Sequence, residues 1–192
     1  MAEKKQLVEI RWHGRGGQGT VTSTELLAMA AIDEGKYASA FPSFGPERRG
    51  APVQAFVRIS ESKPIRVRAE IHEPDIVMVL DPGLLNIVDV AAGLKDDGML
   101  IINTKKPPEQ IRKEFGYKWA LATIDATGIA REILGVPIVN TTMIGALLKA
   151  TGIVKMESLM GPLNHRFGRI AERNINAMKR AYELASVQEK VS

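Results

Sequence analysis

Apolar residues along the chain follow patterns that predict strands of more than one kind. Residues 53–59 and 65–68 alternate between apolar and polar side chains, which predicts half-buried strands, and we expect these two to pair as an antiparallel hairpin. Continuous apolar runs at 76–80 and 99–103 predict strands buried on both faces, as in a parallel sheet. Less regular apolar stretches predict three further strands, at residues 7–12, 37–41 and 119–125.

Apolar side chains with helical spacing fill most of the chain between and after these strands. The stretches that predict helices are 20–35, 84–94, 107–115, 126–134, 140–150, a short one at 155–160 and a long one at 166–190. The first helix is expected to bury Leu26, Leu27, Met29, Ala30 and Ile32. The last is expected to bury Phe167, Ile170, Ala171, Ile175, Met178, Ala181, Tyr182 and Ala185. Asn140 is expected to cap its helix and Gly152 to end it.

The alternation of strands and helices predicts an α/β fold. We expect a single domain over residues 1–192, with a mostly parallel sheet flanked by helices, an antiparallel hairpin and a helical C-terminal part. Hydrophobic residues make up 45% of the chain and charged residues 25%, which is ordinary for a globular protein. The sequence shows neither an apolar run of membrane-spanning length nor a secretory signal, so we expect a cytoplasmic location.

A glycine-rich motif separates the first predicted strand from the first predicted helix. Glycine permits positive φ and close approach of the backbone to a ligand, and the N–H groups at a helix start favour an anion. Arg15 adds a cation suited to phosphate, while Gln18 and Thr20 add neutral hydrogen-bonding groups. The motif therefore predicts an anion-binding turn made by Gly14, Arg15, Gly16, Gly17, Gln18, Gly19 and Thr20.

Two other interpretations of this turn stay open on the sequence. A dinucleotide-binding turn of this pattern is normally followed, about 20 residues later, by a carboxylate for the ribose, whereas residues 37–42 contain none. A glycine-rich turn can also simply pack a helix against a strand. Which anion the turn would bind is equally open.

A second set of candidate residues lies in the segment 42–50, which two prolines and two glycines mark as a loop. Loops that combine charged, hydroxyl and aromatic groups often contact a ligand or partner, and the candidates here are Ser43, Glu47, Arg48 and Arg49. Asp81 follows a predicted strand, at the edge where open α/β sheets bind ligands, although it could also cap the next helix. His13 adjoins the glycine turn, but a lone histidine is more often structural. No catalytic set emerges.

The composition excludes several kinds of site. The chain has no cysteine, so it cannot by itself hold an iron–sulfur cluster or a thiolate zinc site. Its three histidines, His13, His72 and His165, lack metal-ligand spacing. The net charge of +4 is scattered, which does not require a nucleic-acid partner and suits a phosphorylated ligand or an acidic partner equally well.

Four motifs, taken in order and spacing, resemble one family, the gamma subunit of 2-oxoacid:ferredoxin oxidoreductases that use pyruvate or 2-ketoisovalerate. They are Gly14-Arg15-Gly16-Gly17-Gln18-Gly19, Ser43-Phe44-Gly45-Pro46-Glu47-Arg48-Arg49-Gly50, Asp81-Pro82, and Asn140-Thr141-Thr142-Met143-Ile144-Gly145-Ala146. The resemblance extends from about Val8 to the last helix. One departure is Gly50-Ala51, where family members often carry two glycines after the arginine.

The resemblance implies a non-redox subunit of a larger enzyme. Complexes of this family oxidatively decarboxylate a 2-oxoacid, join the acyl group to coenzyme A and reduce ferredoxin. The resemblance places thiamine diphosphate in the alpha and beta subunits and iron–sulfur clusters in the beta and delta subunits, and it implies that this chain contributes to coenzyme A binding and assembly. We expect the coenzyme's phosphates at the glycine turn with Arg15, and we expect no nucleic-acid or membrane partner. The alternatives are a stand-alone nucleotide- or NAD-binding module and a purely structural interaction subunit.

Overall fold

A computed structural model describes residues 5–43 and 50–191 of the chain. Their strands form one seven-stranded sheet in the order β2-β3-β1-β4-β5-β6-β7. The strands are β1 Leu7–Arg15, β2 Tyr37–Pro42, β3 Pro52–Ser60, β4 Ile76–Val79, β5 Met99–Asn103, β6 Ala120–Ile124 and β7 Ser186–Gln188. Strands β1, β4, β5 and β6 are parallel to one another, whereas β3 runs antiparallel to both β1 and β2, and β7 runs antiparallel to β6.

Six α-helices within the described residues accompany the sheet. They are α1 Thr20–Asp33, α2 Pro108–Phe115, α3 Ala126–Leu134, α4 Asn140–Thr151, α5 Met160–Phe167 and α6 Ala171–Leu184. This confirms the predicted α/β class with a mostly parallel centre, an antiparallel element and a helical C-terminal part. None of the helices in the described residues has the length and apolar composition that crossing a bilayer requires.

Alternating side chains of the central strands supply two hydrophobic layers. Ile76 and Met78 of β4 pack into the layer under α1, α3, α4 and α6, while Val77 and Val79 pack into the layer on the other face. This double burial explains the continuous apolar runs, because a parallel strand covered on both faces has no solvent side.

The predicted hairpin between residues 53–59 and 65–68 is wrong. Both edges of β3 are already occupied, one by β1 and the other by β2, so the hairpin partner is β2. Residues 64–70 contain no strand, and the carbonyls of Val67 and Ala69 accept instead from Arg58 Nη1, at 3.3 and 2.8 Å.

The predicted helix at 84–94 is also wrong, since only a short 3-10 helix forms there, at Pro82–Asn86. The carbonyls of Val90 and Ala92 accept from Arg11 Nη2, at 3.1 and 2.5 Å. Arg11 lies on β1 and is 6% exposed, so a buried cation organises this segment in place of helical hydrogen bonds.

The C-terminal region departs from the single long helix predicted at 166–190. Helix α5 passes through Gly161 and Pro162, a 3-10 turn at Gly168–Ile170 breaks the path, and α6 ends at Leu184. Residues 186–188 then pair with β6 as strand β7, because the otherwise unpaired edge of β6 provides backbone partners that the sequence does not reveal.

Some side chains predicted to be inward are exposed. On α1, Leu26, Leu27 and Ala30 are buried, whereas Met29 and Ile32 are 42% and 54% exposed. In the C-terminal region the same is true of two predicted core residues, Ile170 and Tyr182.

The parallel strands β1, β4, β5 and β6 end at one edge of the sheet. This edge carries the glycine turn after β1, Asp81 after β4, Asn103 at the end of β5 and Asp125 after β6. Asn103 Nδ2 donates to Leu80 O at 2.8 Å and to Thr127 Oγ1 at 2.9 Å. These hydrogen bonds from a buried side chain join the end of β5 to the end of β4 and to the start of α3.

Candidate anion-binding site

The glycine turn joins β1 directly to α1. Strand β1 continues through Arg15, the chain turns over residues 16–19, and α1 begins at Thr20. Gly17 and Gly19 adopt φ of 95° and 77°, in the left-handed region that favours glycine. A hydrogen bond from Gln18 N to Arg15 O, at 3.1 Å, closes the turn.

Two of the glycines are also required by close packing. A Cβ at Gly14 would lie 2.2 Å from Thr20 Oγ1, and a Cβ at Gly19 would lie 2.7 Å from Asn140 Nδ2. By contrast, no atom of the described residues lies within 4 Å of the position of a Cβ at Gly17. Within residues 5–43 and 50–191, Gly17 therefore faces open space, as a residue at a ligand-binding surface would.

Asp81 fixes the shape of the turn. Its Oδ2 accepts from Arg15 Nε and from Gln18 Nε2, both at 3.1 Å, and its Oδ1 accepts from Gly83 N at 2.8 Å. Gln18 Oε1 in turn accepts from Arg15 N at 2.7 Å. Asp81 caps the following 3-10 helix, as one of its two predicted roles required, and the same carboxylate also contacts the glycine turn. Its other predicted role, ligand binding, stays a prediction.

Arg15 is consequently not a free cation. Besides its ion pair with Asp81, its Nη1 donates to Gly50 O at 3.1 Å. Residues 50 and 51 also bind the turn through their backbone: Gly16 N donates to Ala51 O at 3.0 Å, and Gly50 N donates to Gly16 O at 3.3 Å. The Gly50-Ala51 departure from the family pattern therefore lies at a backbone contact with the turn.

The start of α1 has the features of an anion site. No side chain among the described residues caps the helix, and its first turn holds no carboxylate. The N–H groups of a first helical turn lack partners within the helix and carry the positive end of its dipole. Thr20 is buried, and no described group hydrogen-bonds its hydroxyl.

A cation that the sequence did not suggest lies beside this helix start. Arg166, at the end of α5, places its Nη2 3.4 Å from Thr22 Oγ1, in the first turn of α1. Arg166 is exposed and forms no ion pair within residues 5–43 and 50–191. Because 144 residues separate the two positions, no local sequence signal links them.

Asn140 brings a second helix start to the turn. It is 4% exposed and begins α4, with its side chain against Gly19. The prediction that Asn140 is the capping residue is wrong, because Val139 occupies that position and Asn140 Oδ1 accepts from the adjacent Thr141 N at 2.8 Å. Gly152 ends α4 as predicted, in the left-handed conformation.

His13 is a structural residue. It is 3% exposed, and its Nε2 accepts from Arg11 Nε at 3.1 Å. Burial, reinforced by the neighbouring Arg11 charge, lowers the pKa of His13 from 6.5 to about 3, so the ring is neutral at neutral pH.

The loop candidates divide into two groups. Ser43 donates from Oγ to Glu70 Oε1 at 2.5 Å, and no described contact joins it to the glycine turn. Glu47, Arg48 and Arg49 lie outside the described residues. Within the described residues, no three His, Asp or Glu side chains are grouped as a metal ion would require.

The sheet order argues against a standard dinucleotide site. In the dinucleotide-binding fold the second parallel strand lies beside the first and carries the ribose-binding carboxylate. Here the antiparallel strand β3 separates β2 from β1. The absence of a carboxylate from residues 37–42 therefore agrees with the topology.

Comparison with known proteins assigns a family to this geometry. The model of the family described as pyruvate ferredoxin/flavodoxin oxidoreductase matches residues 9–184. The pyruvate/ketoisovalerate oxidoreductases common subunit gamma of Thermococcus kodakarensis is 54% identical over 185 residues, covering 95% of this chain and 100% of the relative.

Solved structures share the fold. The pyruvate oxidoreductase subunit PORC of Thermotoga maritima superposes with a TM-score of 0.86 at 40% identity, over 96% of this chain and 100% of that one. The 2-oxoglutarate:ferredoxin oxidoreductase of Magnetococcus marinus superposes with a TM-score of 0.74 at 20% identity, over 94% of this chain and 31% of that one.

Proposed function

Because the chain belongs to the pyruvate ferredoxin/flavodoxin oxidoreductase family, as the gamma subunit of a multi-subunit complex, we propose that its glycine turn binds the pyrophosphate of coenzyme A. The complex oxidatively decarboxylates a 2-oxoacid such as pyruvate to the acyl-coenzyme A and reduces ferredoxin. The observation that carries the proposal is the uncapped start of α1, which has no carboxylate in its first turn and has Arg166 beside it.

The two arginines near the turn have different roles in this proposal. Arg15 shapes the turn, because its guanidinium is paired with Asp81 and tied to Gly50 O. Arg166 supplies the cation, since its guanidinium has no carboxylate partner among the described residues. Backbone N–H groups of Gly17, Gly19 and the first turn of α1 complete the phosphate contacts, since the Gln18 N–H already donates to Arg15 O.

A cleft along the same sheet edge offers room for the rest of a nucleotide. It has a volume of about 580 Å³, lies beyond the ends of β5 and β6, and is lined by Lys105, Lys106 and Asp125 among others. Adjacent strands are about 4.8 Å apart, so the cleft begins roughly 10 Å from β1, within reach of one extended nucleotide. The Magnetococcus marinus structure that shares this fold was solved with coenzyme A bound.

The proposal extends to the division of labour in the complex. With no cysteine, this chain relies on its partners for iron–sulfur clusters, which we assign to the beta and delta subunits, and thiamine diphosphate is assigned to the alpha and beta subunits. Ferredoxin is the electron acceptor of the assembled complex, which works in the cytoplasm without a nucleic-acid or membrane partner.

Steady-state kinetics of the purified complex test the proposal. Arg166→Ala is expected to raise the KM for coenzyme A about tenfold, equivalent to about 1.4 kcal/mol, and to leave the KM for the 2-oxoacid unchanged. Arg180→Ala is the matched control, because Arg180 is also an exposed arginine near the C-terminus but is paired with Glu183. An Arg166→Ala complex with an unchanged KM for coenzyme A would overturn the assignment.

A further inference from the structure

A small apolar groove lies next to the glycine turn, where the segment between α3 and α4 meets the junction of α5 and α6. Its volume is about 110 Å³, enough for a single inserted side chain. The residues that matter for the argument are Val136, Ile138, Asn140, Phe167, Ile170 and Arg173.

Three aliphatic side chains of this groove are exposed together. Val136 is 45% exposed, Ile138 40% and Ile170 53%. Single exposed apolar residues are common on protein surfaces, but a contiguous group around a groove indicates a contact surface. Leu134 and Phe167 line the same groove and are partly buried against the main core, so part of the groove wall is held in place by core packing.

One side of the groove is positively charged. Arg173 lines the groove, is exposed and forms no ion pair within residues 5–43 and 50–191. The neighbouring Glu172 is also exposed. An apolar groove with an arginine at its edge complements a partner that presents an aliphatic side chain beside a carboxylate.

The groove is also continuous with the candidate anion site. Asn140 lines the groove, and the same side chain lies against Gly19 of the glycine turn. A protein bound in the groove would therefore stand beside the start of α1.

We propose that this groove is the docking site for another subunit of the same complex, which inserts one aliphatic side chain and places an Asp or Glu residue against Arg173. The inference rests on membership in a multi-subunit enzyme and does not depend on coenzyme A binding at the turn. It places the glycine turn at a boundary between subunits.

Assembly of the complex tests this proposal. The full chain carrying Ile138→Asp or Arg173→Glu is co-expressed with its partner subunits, and retention of the partners on a tagged gamma chain is measured at several salt concentrations. We expect at least tenfold weaker retention with Ile138→Asp. We expect weaker retention with Arg173→Glu that is most evident at low salt, where the wild-type attraction is strongest.

Ile87→Asp is the matched control, because Ile87 is 58% exposed and does not line the groove. Circular dichroism of each free chain verifies that the fold is retained. Normal assembly of both groove variants would overturn the proposal. So would a result in which the variants only abolish self-association of the free chain, which would make the occupant a second copy.

A third result would separate this inference from the proposed function. If Arg173→Glu leaves assembly intact but raises the KM for coenzyme A, the groove belongs to the ligand, and subunit docking there is excluded. If assembly is weakened while the affinity of the residual complex for coenzyme A is unchanged, the docking proposal is supported independently of the proposed coenzyme A site.

Discussion

Arg15 Nε donates to Asp81 Oδ2 over 3.1 Å, so the only cation within the glycine motif is paired with a carboxylate from the end of β4. The same oxygen accepts from Gln18 Nε2, and the other carboxylate oxygen accepts from Gly83 N. One side chain therefore joins the glycine turn to the segment that follows β4. This arrangement makes Asp81 the organiser of the turn. The proposed function assigns a phosphate contact to Arg166, and the predicted contact of Arg15 stays a prediction.

Replacing this carboxylate is expected to loosen the turn. Asp81→Asn loses one of the two acceptor oxygens and turns an NH₂ group toward donors, so the free energy of unfolding should fall by about 1–2 kcal/mol. Urea unfolding followed by tryptophan fluorescence measures the effect. The control is Asp96→Asn, at an exposed aspartate, which should stay within about 0.5 kcal/mol. Equal stability of the two variants would contradict the organising role.

A substitution at Gly17, with a matched control, distinguishes the cost of backbone strain from the loss of a ligand contact. Alanine at φ 95° is strained, so Gly17→Ala should cost about 1 kcal/mol in stability. Gly116→Ala is a matched control, since Gly116 has φ 70° and its Cβ would also meet nothing within 4 Å, but it ends α2 away from the turn. Both variants should lose similar stability, and only Gly17→Ala should raise the KM for coenzyme A. If the two variants have the same KM for coenzyme A, Gly17 does not contact the coenzyme.

Gly145 allows α4 and α6 to pack closely. A Cβ there would lie 2.0 Å from Met178 O, a backbone atom that cannot move without shifting α6. Gly145→Ala is expected to lower the free energy of unfolding by about 3 kcal/mol, as overpacking of a core does. Chemical denaturation followed by circular dichroism is the measurement.

The control for that substitution is Gly161→Ala on α5, where the nearest atom to the new Cβ is 4.0 Å away. Its stability should remain within about 0.5 kcal/mol of the wild type. A Gly145→Ala protein as stable as this control would mean that the two helices do not approach as closely as described.

Because His13 is buried and neutral, we expect the free energy of unfolding to depend on pH. Its pKa is lowered by burial and by Arg11 to about 3 in the folded protein, against 6.5 for an ordinary histidine. Between these values the unfolded chain binds more protons, so stability should fall as the pH falls from 6.5 toward 3. The loss attributable to His13 should be about 2 kcal/mol at pH 5.

The variant His13→Gln isolates this effect, because its amide oxygen can still accept from Arg11 Nε but does not titrate. Unfolding in urea at pH 7 and at pH 5 should show a smaller difference for the variant than for the wild type. The same difference in both proteins would mean that His13 is protonated without penalty in the folded state.

The sequence by itself determined the family, the α/β class and most central elements. Strand β5 and helix α3 coincide with their predicted ranges, 99–103 and 126–134, because double-sided burial and local capping signals act within each element. The four motifs were sufficient to identify a gamma subunit of a 2-oxoacid:ferredoxin oxidoreductase, which the family match confirms. The coenzyme A site residues stay a prediction.

The tertiary structure decided everything that depends on partners distant in sequence. Two segments show this. Residues 65–68 alternate as a strand would, but they form no strand because both edges of β3 are occupied. Residues 186–188 lie within the predicted last helix, but they pair with β6 as a strand. The predicted helix at 84–94 does not form, and Arg11 hydrogen-bonds two carbonyls of that segment instead. The ion pair between Arg15 and Asp81 likewise joins residues that no local pattern in the sequence links. Local propensity is worth tenths of a kcal/mol per residue, whereas an unpaired buried backbone group or charge costs several times more, so long-range partners override it.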